Sequence, residues 1–243
     1  MKVYIASDFH LKFVENDEEK KRKKRVLSFL ESIKDDADLL ILNGDIFDLW
    51  FVWKKFIIRE YFPILIKLNQ LRESGVRIVF IAGNHDFWFR GFLTGTLGIE
   101  VYSDFFNETI DGVNTFITHG DRYTSNDLRY QIFRRMIRNK FIMWIFGNLH
   151  PDLALNIGKN MSRSSRKMQK VDNRMNKREQ GLIQFARKKL NDVDMVIMGH
   201  SHIPKIEKLE NGIYANAGDW INNNSYLIMK DGKINLHKYK KGE

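Results

Sequence analysis

Short apolar runs alternate with longer segments of mixed polarity along the chain. Five runs rich in branched residues are each followed at once by glycine or aspartate: residues 2–7, 39–43, 77–82, 114–119 and 194–198. Runs of this length are typical of buried strands. Residues 15–35 and 56–74 carry apolar positions at helical spacing, and a C-terminal hairpin is predicted around Asp231-Gly232. The alternation of strands and helices predicts a layered α/β domain.

The middle of the chain departs from this rhythm. Residues 124–175 show little strand pattern, and the stretch RYQIFRRMIRNKFIMWIFGNL within them predicts a helix with an apolar and a basic face. We therefore predict a helical cap at residues 124–175, inserted into a core of residues 1–123 and 176–243. Residues 176–190 are predicted to form the helix that precedes the fifth strand.

The turns that follow the five strands are rich in metal-ligand residue types. They carry Asp8 and His10, Asp45 and Asp48, Asn84, His85 and Asp86, His119 and Asp121, and His200 and His202. In open α/β sheets the carboxyl ends of the strands form the ligand-binding edge, so we expect these side chains to converge. Each turn alone is equally typical of a helix cap or an ordinary bend. Five such turns together favour a shared metal site.

Composition narrows the choice of metal and partner. The chain has no cysteine, so any metal must be held by imidazole, carboxylate or amide groups. Such ligands suit Mn, Fe, Zn or Co better than Ca. Two such ions about 3.5–4 Å apart would clamp a phosphoryl group and generate the attacking hydroxide. The net charge of +10 favours anionic partners, which include nucleic acid, phosphorylated substrates and anionic lipid.

The ordered patterns D-x-H, G-D-x-x-D, G-N-H-D, H-G-D and G-H-x-H resemble those of the calcineurin-like metallophosphoesterases. The resemblance spans residues 8–202 and implies a four-layer α/β/β/α sandwich with a dinuclear metal centre. It implies seven ligands: Asp8, His10 and His202 for one ion, Asn84, His119 and His200 for the other, and Asp45 for both.

The same resemblance implies roles for the residues beside the ligands. His85 would face the substrate phosphate as a charge stabiliser or proton donor, and Asp86 would orient His85 by a hydrogen bond. Asp48 and Asp121 would support the turns rather than bind metal.

A narrower similarity lies in SDFHL, GDIFDLW, GNHDFW and HGDRYTSNDLRYQIFRRMIRN, which resemble the UDP-2,3-diacylglucosamine hydrolase family of lipid A biosynthesis. It implies attack of water at the α-phosphorus, giving UMP and 2,3-diacylglucosamine 1-phosphate. It also implies two divalent ions, with Mn²⁺ first and Fe, Zn, Co or Mg as alternatives. A cytoplasmic protein held at the periphery of the inner membrane is expected, since no apolar stretch resembles a signal peptide or a membrane span.

This family pattern also implies contacts in the cap. Substrate contacts are expected from Asp127, Tyr130, Arg163, Ser164, Ser165 and Lys167. Large apolar side chains alternate with basic ones in the cap: Phe133, Met136, Ile137, Phe141, Trp144 and Phe146 beside Arg134, Arg135, Arg138 and Lys140. They suit acyl chains and an anionic bilayer, or simply pack the cap on the core.

Other features leave alternatives open. The best-known branch of the family has arginine where this chain has His85, so the alternative is a related enzyme acting on another nucleotide, lipid-linked or nucleic-acid phosphodiester. A non-catalytic scaffold is disfavoured because every ligand position is filled. The run KKRKKR at residues 20–25 indicates a solvated face or an anionic contact. The aromatic runs at residues 48–56 and 86–93 either line a pocket mouth or pack internally.

Overall fold

Eleven strands and seven α-helices are present in the computed structural model, which describes residues 1–14, 16–53, 55–124, 128–158 and 172–240. The strands are β1 Lys2–Ala6, β2 Leu39–Asn43, β3 Arg77–Ile81, β4 Glu100–Tyr102, β5 Phe105–Ile110, β6 Val113–Thr118, β7 Met195–Met198, β8 Lys205–Leu209, β9 Gly212–Asn216, β10 Ser225–Lys230 and β11 Lys233–Lys238. The helices are α1 Asp17–Ser32, α2 Phe62–Glu73, α3 Phe92–Leu97, α4 Leu128–Ile137, α5 Lys140–Asn148, α6 at residues 151–158 and α7 Asp172–Lys189.

The strands form two sheets. The first has the order β11-β10-β1-β2-β3-β4, and the second has the order β5-β6-β7-β9-β8. In the first sheet β1 to β4 are parallel, and in the second β6, β7 and β9 are parallel. The remaining strands pair in antiparallel fashion at the edges, and the hairpin of β10 and β11 confirms the predicted turn at Asp231-Gly232.

The side chains of each sheet point alternately into two hydrophobic cores, one between the sheets and one under the helices outside. Ile5 and Ile41 of the first sheet meet Ile117 and Ile197 of the second in one shared apolar cluster. The opposite face of the first sheet packs on α1 and α2, and the opposite face of the second packs on α7. Because successive side chains of a strand point to opposite faces, two stacked sheets with helices outside bury both sets. The predicted four-layer α/β/β/α sandwich is confirmed.

The helices follow local sequence rules. Asn16 caps α1 by accepting from the backbone N–H of Glu19, and three acidic residues fill the first turn. Asn139 has an extended backbone, and its side chain accepts from the N–H groups of Phe141 and Ile142. This cap divides the single helix predicted for residues 129–149 into α4 and α5. In the described part of the chain, no helix is long and apolar enough to cross a membrane.

The basic run of α1 is only partly a solvated face. Lys20, Lys21 and Lys24 are exposed, but Arg22 and Lys23 are buried. The two buried side chains donate to backbone carbonyls, and Arg22 reaches that of His10 at 3.0 Å.

α7 begins at Asp172 and continues across residue 175, where the boundary between cap and core is predicted. The division of the chain into a cap and a core therefore stays a prediction.

Most aromatic side chains of the runs at residues 48–56 and 86–93 pack internally, and Phe56 is the exposed exception. Trp50, Phe51 and Trp53 are buried, and the Phe51 ring stacks on Trp88 with a centroid separation of 5.0 Å. Phe146 of α5 meets the same Phe51 ring edge-on at 4.9 Å. Internal packing, rather than a pocket mouth, therefore describes Trp50, Phe51 and Trp53, and α5 packs on this group through Phe51.

Candidate metal centre

The ligand-rich turns come from both sheets. Those after β1, β2 and β3 belong to the first sheet, whereas those after β6 and β7 belong to the second. The turns nevertheless meet, because Asn43 Nδ2 donates to the Thr118 carbonyl at 3.0 Å and His119 Nδ1 lies 2.9 Å from the Asn43 carbonyl. The single sheet edge expected from the strand pattern is thus replaced by a seam between two sheets.

The backbone of these turns is strained. Positive φ values between 46° and 65° occur at Asp8, His10, Asp45, His200 and His202. A left-handed backbone costs a residue with a Cβ about 1–2 kcal/mol. Such conformations persist where the surroundings over-determine them, and they are concentrated at functional sites.

Asp86 holds the turn that contains Asp45. Its Oδ1 accepts from the backbone N–H groups of Asp45 at 2.9 Å and Gly83 at 3.0 Å. Its Oδ2 accepts from Ile46 at 2.6 Å and Phe47 at 3.1 Å. Burial, and then the charge of Asp45, raise the pKa of Asp86 to about 7 despite these hydrogen bonds.

The predicted hydrogen bond from Asp86 to His85 is wrong. Both Asp86 oxygens face backbone N–H groups, and His85 Nδ1 instead lies 2.8 Å from the carbonyl oxygen of Asp48. A carbonyl can only accept, so Nδ1 carries the proton and Nε2 is left for another partner. His85 is therefore oriented by the turn after β2.

The first group of candidate ligands is compact. Asp8 Oδ1 lies 3.2 Å from His202 Nε2 and 3.5 Å from His10 Nε2, and the two Nε2 atoms are 3.2 Å apart. Behind the rings, Asp219 Oδ2 lies 3.4 Å from His202 Nδ1, and Asp48 Oδ1 lies 3.7 Å from His10 Nδ1. A carboxylate behind each imidazole orients the ring and makes it a better ligand.

The second group lies around His119. Its Nε2 is 3.4 Å from Asp45 Oδ2 and 3.3 Å from Asn84 Oδ1. The candidate atoms of Asp45, His119 and His200 all lie within 4.8 Å of one another. Asp45 Oδ2 is also 3.8 Å from His10 Nε2, so this carboxylate stands between the two groups.

The residues fit divalent ions. Atoms that share one ion at about 2.1 Å lie about 3.0–3.4 Å from one another, which is close to the spacing around Asp8 and Asp45. Asp8 Oδ1 is buried and accepts no hydrogen bond from the described chain, although two imidazole nitrogens face it. A cation between these atoms would satisfy all of them.

The electrostatics of the cluster favour positive charge. Burial opposes an imidazolium at His10, but hydrogen bonds to Asp48 and Asp8 outweigh it and raise the pKa of His10 to about 10. Burial likewise opposes charge at His119, but Asp45 raises the pKa of that imidazole to about 10. At His200, burial and the charge of Arg178 hold the pKa well below its usual value. Carboxylates that stabilise protons here would equally stabilise metal ions.

Sequence reasoning missed several supporting residues. Asp219 follows β9 in the pattern N-A-G-D, which is a sixth strand end of the same kind and could have been included. Glu179 of α7 accepts from Ser201 Oγ at 2.6 Å and so holds the turn between His200 and His202. Arg22 gave no such signal, because its carbonyl contact depends only on how α1 packs.

The cap residues divide into several groups. Asp127, Arg163, Ser164, Ser165 and Lys167 lie outside the described residues, and Tyr130 lies in α4 with its side chain undescribed. On α5, Phe146 packs inward, whereas Phe141 and Trp144 are 65% and 59% exposed. Arg134 and Arg138 of the basic set form ion pairs with Asp121. That carboxylate is therefore a support of the turn after β6, as predicted.

Comparison with known proteins identifies related chains. A UDP-2,3-diacylglucosamine hydrolase from Porphyromonas gingivalis (strain ATCC BAA-308 / W83) is 30% identical over 245 residues, covering 93% of each chain. Another protein of that name, from Actinobacillus succinogenes, is 28% identical and covers 86% of each chain. The solved structure of an archaeal phosphodiesterase matches with a TM-score of 0.52 at 18% identity and covers 98% of this chain and 99% of that one, which supports the fold alone.

The family of calcineurin-like phosphoesterases matches residues 1–204. These residues include strands β1 to β7, which belong to both sheets, and every candidate ligand from Asp8 to His202. The chain therefore belongs to the calcineurin-like phosphoesterase family and is a metal-dependent phosphoester hydrolase.

Proposed function

We propose that the protein hydrolyses UDP-2,3-diacylglucosamine to UMP and 2,3-diacylglucosamine 1-phosphate. The observation that carries this proposal is the direct attachment of an apolar helical segment to the metal centre. We call the ligand-rich turns after β1, β2, β3, β6 and β7 the metal turns. The helical segment (α4, α5 and α6) contacts them through Arg134 and Arg138 and carries exposed Phe141 and Trp144. A phosphate-cleaving centre beside a surface for acyl chains suits a lipid-linked pyrophosphate. Relatives that bear the name of this hydrolase support the same substrate.

The metal centre would use the seven ligands in two sets. We propose Asp8, His10 and His202 for one ion, Asn84, His119 and His200 for the other, and Asp45 for both. When bound, two divalent ions supply positive charge at the phosphoryl oxygens and activate the attacking water, and Mn²⁺ is the ion we propose. The Asn43 carbonyl fixes the ring of His119 so that Nε2 faces the cluster.

His85 is proposed to act on the substrate phosphate. His85 and Asn84 are half-buried, whereas the other candidate residues of the cluster are buried, so we infer that the phosphate approaches from this side. The Asp48 carbonyl holds the Nδ1–H, so Nε2 would carry a second proton in the imidazolium form; in that form it would stabilise the charge that develops on the phosphate or donate this proton. The oxygen of water would bond to the α-phosphorus and lose a proton to solvent. The bond between the α-phosphorus and the bridging oxygen would break, and that oxygen would leave as part of the acylated sugar phosphate.

The test is product analysis with the Mn²⁺-loaded protein. UDP-2,3-diacylglucosamine in ¹⁸O-water should release UMP that carries the label, and Asp45→Asn should abolish the release. UDP-N-acetylglucosamine, which lacks long acyl chains, should be a poor substrate. Turnover of single-stranded nucleic acid without any UMP release would instead favour the alternative phosphodiesterase.

Membrane attachment is a separate part of the proposal. The exposed apolar side chains of α4 and α5 are Ile132, Met136, Phe141, Ile142, Trp144 and Ile145. Arg135 and Lys140 are exposed on the same two helices. An apolar surface with basic neighbours suits the headgroup region of an anionic bilayer, here the cytoplasmic face of the inner membrane. The protein should sediment with phosphatidylglycerol vesicles and not with phosphatidylcholine vesicles; equal sedimentation with both, or with neither, would contradict this part.

A further inference from the structure

Arg138 links the helical segment to the turn that carries Asn84. It lies between α4 and α5, and its Nη2 donates to the carbonyl oxygen of Gly83 at 2.7 Å. Its Nη1 lies 3.5 Å from the Ser103 carbonyl, and the guanidinium lies 4.8 Å above the centroid of the Phe87 ring. One rigid group thus contacts the turn on both sides of Asn84 and His85. A guanidinium suits this task because its donors have a fixed planar geometry.

Gly83 packs directly against Asp45 and has no space for a side chain. A Cβ at Gly83 would lie 2.2 Å from Asp45 Oδ1 and 2.3 Å from the Asp45 nitrogen. Its own N–H is held by Asp86 Oδ1 at 3.0 Å. The Gly83 peptide therefore lies between Arg138 on one side and the proposed bridging carboxylate on the other. A displacement of Gly83 would be transmitted to Asp45 and to Asn84, the next residue in the chain.

α4, which ends immediately before Arg138, contacts a second turn of the candidate metal centre. Arg134 of α4 lies one turn before Arg138, and its Nε is 2.5 Å from Asp121 Oδ2. Gln131 Nε2 donates to the Asp121 carbonyl at 2.9 Å. Asp121 follows His119 by two residues, so α4 and the adjoining Arg138 hold the turns of His119 and Asn84 together. Residues three and four apart face the same side of a helix, which gives α4 one face toward the centre.

We propose that Arg138 is a positioning residue for phosphoester hydrolysis. It fixes the Gly83 turn from the junction of α4 and α5, and the geometry of Asn84 and His85 thereby depends on the docked position of the helical segment. This inference rests on the roles proposed for Asn84 and His85. It does not rest on the lipid substrate, because any phosphodiester cleaved at the centre needs the same geometry.

We expect loss of Arg138 to lower the rate of hydrolysis rather than the affinity for substrate. Misplacing a catalytic group by about 1 Å can cost on the order of 10²-fold in rate, and removing a group that orients a metal ligand typically costs 10–100-fold in activity or metal affinity. Loss of the Arg138 guanidinium should therefore lower kcat by about 10–100-fold. It should also weaken binding of one of the two metal ions by about 10-fold.

The experiment uses a small substrate that lacks acyl chains, bis(p-nitrophenyl) phosphate, with the full-length Mn²⁺-loaded protein. Arg138→Ala should lower kcat with KM changed less than about twofold, and Arg138→Lys should fall between Arg138→Ala and the parent. Added methylguanidinium should restore part of the rate of Arg138→Ala. Calorimetric titration of metal-free Arg138→Ala with Mn²⁺ should show weaker binding at one site than the metal-free parent shows. Arg59→Ala, which removes a guanidinium whose side chain is 93% exposed, is the matched control and should change nothing.

Three outcomes would overturn the proposal. The first is an unchanged kcat for Arg138→Ala on the small substrate. The second is a higher KM for UDP-2,3-diacylglucosamine with normal hydrolysis of the small substrate, which would make Arg138 a substrate contact. The third is a lower melting temperature that Arg138→Lys shares, with no recovery by methylguanidinium, which would make the contact purely structural. Because the small substrate is assayed independently, failure of the lipid proposal would leave this test intact.

Discussion

The metal turns and the helical segment differ in which side chains they bury and which they expose. In the turns, charged groups such as Asp8, Asp45 and Asp86 are buried, and the backbone is strained. In the helical segment the backbone is regular, and large apolar groups such as Phe141 and Trp144 are exposed. The first arrangement fixes atoms for chemistry before the substrate arrives, whereas the second leaves apolar surface for a partner. The two regions meet at Arg134 and Arg138.

The largest expected effect is at the residue between the two ligand groups. Asp45→Asn should reduce hydrolysis of bis(p-nitrophenyl) phosphate by at least about 10³-fold, because the proposed bridging charge is lost while the side-chain volume is kept. Initial rates and metal content by mass spectrometry provide the measurement. Activity within tenfold of the parent would mean that Asp45 is not the bridge.

Removal of the buried carboxylate of Asp86 should produce the next largest effect, on stability. Asp86→Ala leaves four buried backbone N–H groups without an acceptor, and we expect a loss of roughly 3–5 kcal/mol in the free energy of unfolding. Asp86→Asn keeps one acceptor oxygen and should lose about half as much. Urea unfolding of the metal-free protein measures both. Equal stability of Asp86→Ala and the parent would refute the role of this side chain as the support of the Asp45 turn.

A pH-dependent effect should follow for the metal-free protein. Nearby carboxylates raise the pKa of His10 and His119 to about 10 against burial, whereas an unfolded histidine titrates near about 6.5. The contribution to stability is therefore fully present below about pH 6.5 and is lost as pH rises toward about 10. The melting temperature in EDTA should fall between about pH 6.5 and pH 9 by at least about 5 °C.

Mn²⁺ should reverse this trend. The ions replace the imidazole protons, so metal affinity should rise over the same pH interval and the melting temperature of the loaded protein should change less. Scanning fluorimetry with and without Mn²⁺ compares the two states. A metal-free protein that becomes more stable over this interval would contradict the protonated state of His10 and His119.

The smallest effect on stability is expected in the helical segment. The double change Phe141→Ser and Trp144→Ser should alter the free energy of unfolding by less than about 0.5 kcal/mol, because both side chains are mostly exposed. The same change should reduce sedimentation with phosphatidylglycerol vesicles severalfold. Phe62→Ser on α2, where the phenylalanine is 56% exposed, serves as the control and should bind vesicles normally. Loss of binding in both proteins would show that the helical segment has no special role.

Some parts of the fold could be predicted from sequence and others could not. The strands β1, β2, β3, β6 and β7 are buried over most of their length, and their apolar runs identify them as strands directly. β5 and β8 are edge strands with alternating or mixed exposure, and neither was predicted because they carry no continuous apolar run. The break between α4 and α5 was missed because the capping strength of Asn139 depends on its extended backbone.

The sequence by itself determined which strand-end side chains are candidates for the metal centre, because each stands at the end of an apolar strand and strand ends are local features. Only the tertiary structure decided which partner holds each turn. Arg138 and Gly83 are 55 residues apart, and Asp8 accepts from the N–H of His200 across 192 residues. Asp86 faces the backbone of the Asp45 turn rather than His85 for the same reason. Such contacts depend on how two sheets and their helices stack, and stacking is settled by packing of the whole core.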